Sequence, residues 1–321
     1  MIASSYGQID LHLHLDGSLS ARTILNLAKE ENITLPADTE EGLCPYITAQ
    51  MDCKSLNEYL QCFELPLLVL QTGNCLEIAA YELAKDLEAK GLIYAEIRYA
   101  PGLHVRKGLD QEGAIRAVLA GLGRAMRESR NGIVLRTILC CMRGADTHAA
   151  NLETVRLAAE YLGRGVVAVD LAGAEALYPT GDYEEEFTCA KRLGVPFTIH
   201  AGEAAGPESI WKALEFGAVR IGHGVRAIED EELMRELKER GTVLEMCPIS
   251  NLQTKAIEDI RDYPLRTYLE QGIKVTINSD NMTVSNTWAG KEFEYLFQYY
   301  GLTEAEAGLL QENAKAAAFD L

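Results

Sequence analysis

Short apolar runs rich in Val, Ile and Leu alternate along the chain with longer stretches of helical period. The runs fall at 8–15, 92–99, 133–141, 166–171, 196–200, 220–223, 242–246 and 273–278, and their length and composition predict eight strands. Amphipathic stretches at 75–90, 111–128, 152–162, 184–193, 208–216 and 230–239 predict helices between them, with Gly91, Gly194, Gly217 and Gly241 standing where helices end. Strands separated by crossover helices imply a parallel sheet. Eight such units predict closure into a single (β/α)8 TIM barrel covering 1–321. No G-x-G-x-x-G or G-x-x-x-x-G-K-[ST] follows the first strand, so the nucleotide-binding fingerprints of open parallel sheets are missing. Thr303 and Glu306 predict a capping box opening a last helix that runs through KAAAF to the C-terminus. The one long irregular stretch, 33–72, holds two short helix candidates at 55–63 and 65–70. An insertion after the first strand of a barrel lies over its active-site face, so this segment is expected to be a short helical lid.

Polar residues interrupt the strand pattern at particular places. In the first strand Ile9, Leu11, Leu13 and Leu15 share one face, and Asp10, His12, His14 and Asp16 share the other. Both faces of a barrel strand are buried, so two imidazoles and neighbouring carboxylates point inward near the strand's C-terminal end. His200 ends the fifth candidate strand, His223 the sixth, and Asp280 follows the eighth. Barrels place their chemistry at those ends. Up to three neutral imidazoles and a carboxylate, with one position left to water, are the donor set of a catalytic Zn2+. Glu203, three residues past His200, stands where a general acid/base is needed. The other two histidines, His104 and His148, follow the second and third strands without a partner motif and are expected at the surface or in supporting positions.

Charge and composition narrow the partners. With 48 acidic against 30 basic residues the formal net charge is −18, which disfavours nucleic acid and anionic membranes. The first fifteen residues carry no basic stretch followed by an apolar one, and no window reaches a membrane-spanning length, so a cytoplasmic protein is expected. Eight cysteines without a C-x-x-C fit reduced thiols better than disulfides or a cysteine-ligated metal.

The motifs DLHLHLDGS (10–18), DLAGAE (170–175), HAGE (200–203), RIGHG (220–224), CPISN (247–251) and SDN with the following TVSNT (279–281, 283–287) occur in that order over nearly the whole chain. The series resembles that of the adenosine deaminase family. The resemblance implies one zinc per chain on His12, His14, His200 and Asp280, with His14 also beside the substrate. It implies Glu203 as proton donor to purine N1, His223 with Asp280 as the pair that orients and deprotonates the attacking water, Asp16 on the ribose hydroxyls and the Gly173 amide on purine N3. The implied reaction is hydrolytic deamination of adenosine and 2'-deoxyadenosine to the inosines in purine salvage. Asn281 departs from the commoner second Asp; its amide donates to an acceptor such as purine N7 without taking up a proton. The H-x-E with P-C-x-x-C signature of cytidine deaminases is missing, and VDLAG offers no lysine to bridge two metals. Three alternatives stay open: a deaminase of adenine, an aminodeoxyfutalosine or a nucleotide, with Arg98, Arg143 and Arg226 as phosphate partners; a metal-dependent amide or ester hydrolase; and a non-catalytic binding protein on the same fold. Oligomeric state is left open.

Overall fold

The computed structural model describes residues 6–321, so the first five residues of the expected 1–321 domain lie outside it. Eight strands form: β1 (Ile9–His14), β2 (Tyr94–Tyr99), β3 (Val134–Met142), β4 (Val166–Ala172), β5 (Thr198–Ala201), β6 (Arg220–His223), β7 (Val243–Met246) and β8 (Lys274–Ile277). Each lies within two residues of its predicted limits. They pair in parallel and in order, β1 to β4 and β5 to β8, and two bridges close the ring. Val169 meets Phe197 between β4 and β5, and Leu13 meets Asp280 beyond β8. The second seam is short and strong, with His14 N donating to Asp280 O at 2.7 Å and Asp280 N to His12 O at 2.8 Å. Asp280 is therefore both a barrel-closing residue and a site residue.

The crossover helices pack their apolar stripes on the outer face of the barrel. Helices Gln111–Glu128 and Glu184–Leu193 have their predicted limits, and Gly194, Gly217 and Gly241 are the left-handed C-caps expected of them. The insertion is helical at Glu40–Ile47, Leu56–Tyr59, Leu60–Phe63 and Glu64–Val69. A preceding helix, Ala21–Glu30, was not in the sequence reading; Ser20 caps it by accepting from Thr23 N.

The capping box at Thr303 and Glu306 is present, but the last helix stops at Ala317 instead of running to the C-terminus. The tail turns under the barrel because a buried charge holds it. The Arg220 guanidinium lies 3.9 Å from the Phe319 ring centre and donates to Ala317 O at 2.9 Å, while Phe319 N donates to Glu96 Oε1 at 2.7 Å. These tertiary partners outweigh the helix propensity of the alanines.

The remaining two histidines divide between the surface and supporting positions expected of them. His104 takes the supporting position: it is fully buried, and its Nδ1 donates to Leu70 O at 2.8 Å, tying the insertion to the end of β2. His148 is half-exposed and pairs with Glu186 at 2.7 Å. Among the described residues no helix is long and apolar enough to cross a membrane.

Burial lowers the His104 ring from 6.5 to about 4. The unfolded chain thus binds the proton more readily than the folded one, so the stabilisation is complete above about pH 6.5 and is lost as the pH falls toward 4. Across that window the contribution is about 3 kcal/mol. Urea unfolding should show His104→Asn losing about 2 kcal/mol less than the natural protein between about pH 7 and about pH 4.5; parallel losses would contradict this assignment.

Candidate active site

The inward residues of β1 meet the ends of β5 and β8. His14 Nε2 and His200 Nε2 lie 3.2 Å apart, His14 Nε2 lies 3.4 Å from Asp280 Oδ1, and His12 Nε2 lies 3.5 Å from the same oxygen. Ligands about 2.0–2.1 Å from a tetrahedral metal stand about 3.3 Å apart, so this spacing fits one metal ion. The remaining atoms of these side chains are occupied elsewhere. His12 Nδ1 donates to Glu245 Oε2 at 2.8 Å, His200 Nδ1 to Asp170 Oδ2 at 2.9 Å, and Ser250 Oγ to Asp280 Oδ2 at 2.6 Å. Both rings thereby turn Nε2 toward the common point, as metal-binding histidines do. His12 Nε2 is buried and has no hydrogen-bond partner.

A second set, His12, His200, His223 and Asp280, offers donor atoms within 4.8 Å of one another. The 3.2–3.5 Å contacts favour His14 in the inner set. His223 is held through Nδ1, 3.0 Å from Asn251 Nδ2, and its Nε2 lies 3.6 Å from Glu203 Oε2. Its backbone and that of Asp280 are left-handed, φ 63° and 58°. Such conformations in residues other than glycine are strained and collect where a site requires them.

Burial, then the negative charges of Asp280 and Glu175, push the Glu203 carboxyl well above the usual carboxylate range. Thr254 Oγ1 donates to Glu203 Oε1 at 3.0 Å, leaving Oε2 toward His223. Burial works in the same direction on Asp280, but the hydrogen bond and charge of His12, with His14 and His223, hold it well below that range. Two carboxyl groups a few residues from the same donors are thus driven apart, one toward holding a proton and the other toward releasing it.

A cavity of about 280 Å3 opens above this floor, near the small end of ligand sites. His14, Asp16, Gly173, His200, Glu203, His223, Asp280 and Asn281 line it, with Leu56, Tyr59, Phe63 and Leu67 of the insertion forming one wall. The structure therefore brings all nine sequence-predicted site residues together, with His12 just beneath the cavity. Asp16 Oδ1 is buried without a partner. Asn281 Nδ2 donates to Tyr59 OH at 2.9 Å, and its Oδ1 is so close to Gly17 that a Cβ there would sit 1.8 Å away. Glycine is the residue that fits.

Several residues that support the site are not marked as such by the sequence, Arg98 among them, which figures there only as a candidate phosphate partner. Asp170, Glu175, Ser250 and Asn251 stand in the motifs already quoted, and that membership was the only available signal. Arg98 and Glu245 are charged residues on strand positions that face inward; their pairing joins β2 to β7 and is invisible to local spacing.

Fold and site define a class, the parallel barrels that hydrolyse small molecules with a metal at the C-terminal strand ends. Within it, the family model for adenosine deaminase matches residues 8–320. The chain is 53% identical over 319 residues to the adenosine deaminase of Haemophilus ducreyi, covering 98% of this chain and 92% of that protein. Among solved structures it is similar to an adenine deaminase from Arthrobacter aurescens (TM-score 0.89, 25% identity, 98% and 94% of the chains covered). It is also similar to the N6-methyl-AMP deaminase of Arabidopsis thaliana (TM-score 0.85, 26% identity, 99% and 94% covered). The chain belongs to the adenosine deaminase family.

Elemental analysis should find one divalent metal per chain. His14→Ala should lose it and His223→Ala should keep it; the reverse pattern would shift the ligand set to the second group of donors. Asp170→Asn, which removes the charge behind His200, should weaken metal affinity about 10–100-fold.

Proposed function

We propose that this chain is a zinc-dependent deaminase of adenosine and 2'-deoxyadenosine, producing inosine or 2'-deoxyinosine and ammonia. The observation that carries the reading is the placement of a proton-holding Glu203 and an unpartnered Asp16 oxygen in one cavity above four clustered potential metal donors. His12, His14, His200 and Asp280 would hold the zinc, whose contribution when bound is to acidify a water toward a pKa of about 7.

The rest falls to the chain. Purine C6 is a poor electrophile while the ring is aromatic. Glu203, protonated in the resting site, gives its proton to N1, so the C6–N1 double bond yields as water oxygen adds to C6. His223 and Asp280 orient that water and receive its proton. Collapse of the tetrahedral carbon breaks the bond to the exocyclic nitrogen, which takes a proton and leaves as ammonia. The apolar wall from the insertion keeps bulk water from competing for these groups.

Substrate scope follows from which polar atoms are free. Asp16, whose carboxyl burial raises to about 6, has an oxygen without a partner, and a ribose hydroxyl would satisfy it. Free adenine has nothing to offer there. Among the described residues, the one arginine lining the cavity is committed to other acceptors. This is Arg143, which donates to Tyr178 O at 2.7 Å, Thr180 Oγ1 at 3.0 Å and His200 O at 2.7 Å. Arg98 is wholly buried on Asp170 and Glu245, and Arg226 binds Glu229 and Glu203 O. A phosphate would meet Asp16 unshielded, so nucleotides are disfavoured. Eight free cysteines suit a reducing compartment, the cytoplasm.

A panel of adenosine, deoxyadenosine, adenine and AMP, followed by absorbance and ammonia release, should give turnover of the two nucleosides. Adenine and AMP should trail by at least about 100-fold in kcat/KM; AMP as the best substrate would overturn the reading. Glu203→Gln should keep its metal and lose about 10^2–10^4 in kcat. Asn281 has one amide hydrogen on Tyr59 and a second to give to purine N7. A 7-deaza nucleoside inhibitor should then bind more weakly than its parent by about 1–3 kcal/mol, and equal inhibition constants would remove Asn281 from the base contact.

A further inference from the structure

The loop that carries Glu203 has no regular structure of its own. Residues 202–205 lie between β5 and the helix Pro207–Phe216, and the backbone direction there decides where the Glu203 carboxyl points. Gly202 begins the turn at φ 71°, where a Cβ would stand 2.4 Å from Ile210 Cδ1. Four successive amides of this loop curl around one group. Gly202 N donates to Glu175 Oε1 at 2.7 Å, and Glu203 N, Ala204 N and Ala205 N donate to Glu175 Oε2 at 3.0, 2.6 and 3.0 Å. Consecutive backbone amides of this kind make a concave anion site, and here the anion is the chain's own side chain.

Ser209 Oγ adds a fifth donor, to Glu175 Oε1 at 2.5 Å. Behind it the donors run in one direction. The Arg143 guanidinium can only donate, so Thr180 Oγ1 accepts from it at 3.0 Å and passes its own hydrogen to Ser209 Oγ at 2.7 Å. Glu175 is 2% exposed and Glu203 5%, so the accepting carboxylate itself is shielded from water. Arg143 also donates to His200 O. One line of hydrogen bonds therefore fixes both the strand end that bears His200 and the loop that bears Glu203.

We propose that Glu175 is a positioning residue for Glu203: its carboxylate, gripped by the amides of 202–205 and by Ser209, sets the angle at which the Glu203 carboxyl faces the substrate. This rests on the reading of Glu203 as proton donor. Glu175 touches neither the cavity nor the metal donors, so it acts through the loop. After burial and Asp280, its charge is also the next contribution holding the proton on Glu203.

In Glu175→Gln the new amide group turns N–H toward N–H, and the loop has to release at least one bond. A misplacement of about 1 Å at a reacting group costs about 100-fold in rate. The holoenzyme variant is expected to lose about 10–100-fold in kcat with adenosine, with KM and metal content unchanged. A helix-capping or general packing role would lower stability without that split. The decisive readout is the double variant. If Glu175 acts through Glu203, Glu175→Gln should add less than about threefold to the loss already caused by Glu203→Gln. A fully multiplicative loss in the double variant, or a loss confined to KM, overturns the proposal. Should Glu175→Gln fail to fold, Ser209→Ala removes one donor and is put through the same cycle; unchanged kcat there, or multiplicative loss with Glu203→Gln, is equally fatal. The underlying reading fails separately, by full activity in Glu203→Gln alone.

Discussion

A guanidinium taken wholly out of water must have its charge met by its neighbours, and at the centre of this barrel Arg98 meets that demand with two carboxylates. Nη1 donates to Asp170 at 3.0 Å and Nη2 to Glu245 at 2.9 Å. Each carboxylate also accepts from a histidine of the candidate metal site, Asp170 from His200 and Glu245 from His12. The two rings are therefore aimed by one cation through two anions. Removing the cation would leave Asp170 buried without a cation and Glu245 with Arg220 alone, and breaking a buried pair in this way costs about 3–5 kcal/mol; it would also loosen the rings whose Nε2 atoms face the candidate metal site.

The same logic extends downward. Glu245 keeps its other oxygen for Arg220, 2.6 Å away, and Arg220 is shared with Glu96. Glu96 in turn receives Phe319 N. The network thus reaches from the metal donors to the tail that closes the opposite end of the barrel. A barrel interior is a poor place for charge unless every member of such a network is partnered. Here the gain is rigidity: the donor atoms are held at 3.2–3.5 Å spacing by groups that themselves cannot rotate freely.

How much of this the sequence disclosed depends on the range over which each feature is decided. The eight strands are legible because both faces of a barrel strand are buried and leave short unbroken apolar runs. The donors are legible because period two in IDLHLHLDG puts His12 and His14 on one face. His200, His223 and Asp280 are legible because they stand at strand ends. Arg98, Glu245 and Arg220 are not, since a charged residue in a strand reads the same whether its partner is solvent or a carboxylate across the barrel. The end of the last helix was misread for a related reason: KAAAF favours a helix locally, and what ends it is Arg220, nearly a hundred residues away in sequence. Sequence leaves His104 between the surface and a supporting position because nothing near it along the chain shows that Leu70 O is its partner.

Phosphate discrimination illustrates the limit from the other side. Counting cations near the motifs leaves Arg98, Arg143 and Arg226 all eligible to bind a phosphate, and the count is correct. Eligibility is removed by commitment for the two buried guanidiniums, Arg98 and Arg143, which already donate to buried acceptors, while Arg226 lies outside the cavity lining and pairs with Glu229 near the surface. Arg143 is the sharpest case, because it lines the cavity and a phosphate would have to draw it off three acceptors, one of them the carbonyl of His200. The group that would have to move to admit a nucleotide is therefore one that holds the His200 end of β5 in place. On the proposed reading, discrimination against a phosphorylated sugar and the placement of the His200 strand end would both depend on these three hydrogen bonds.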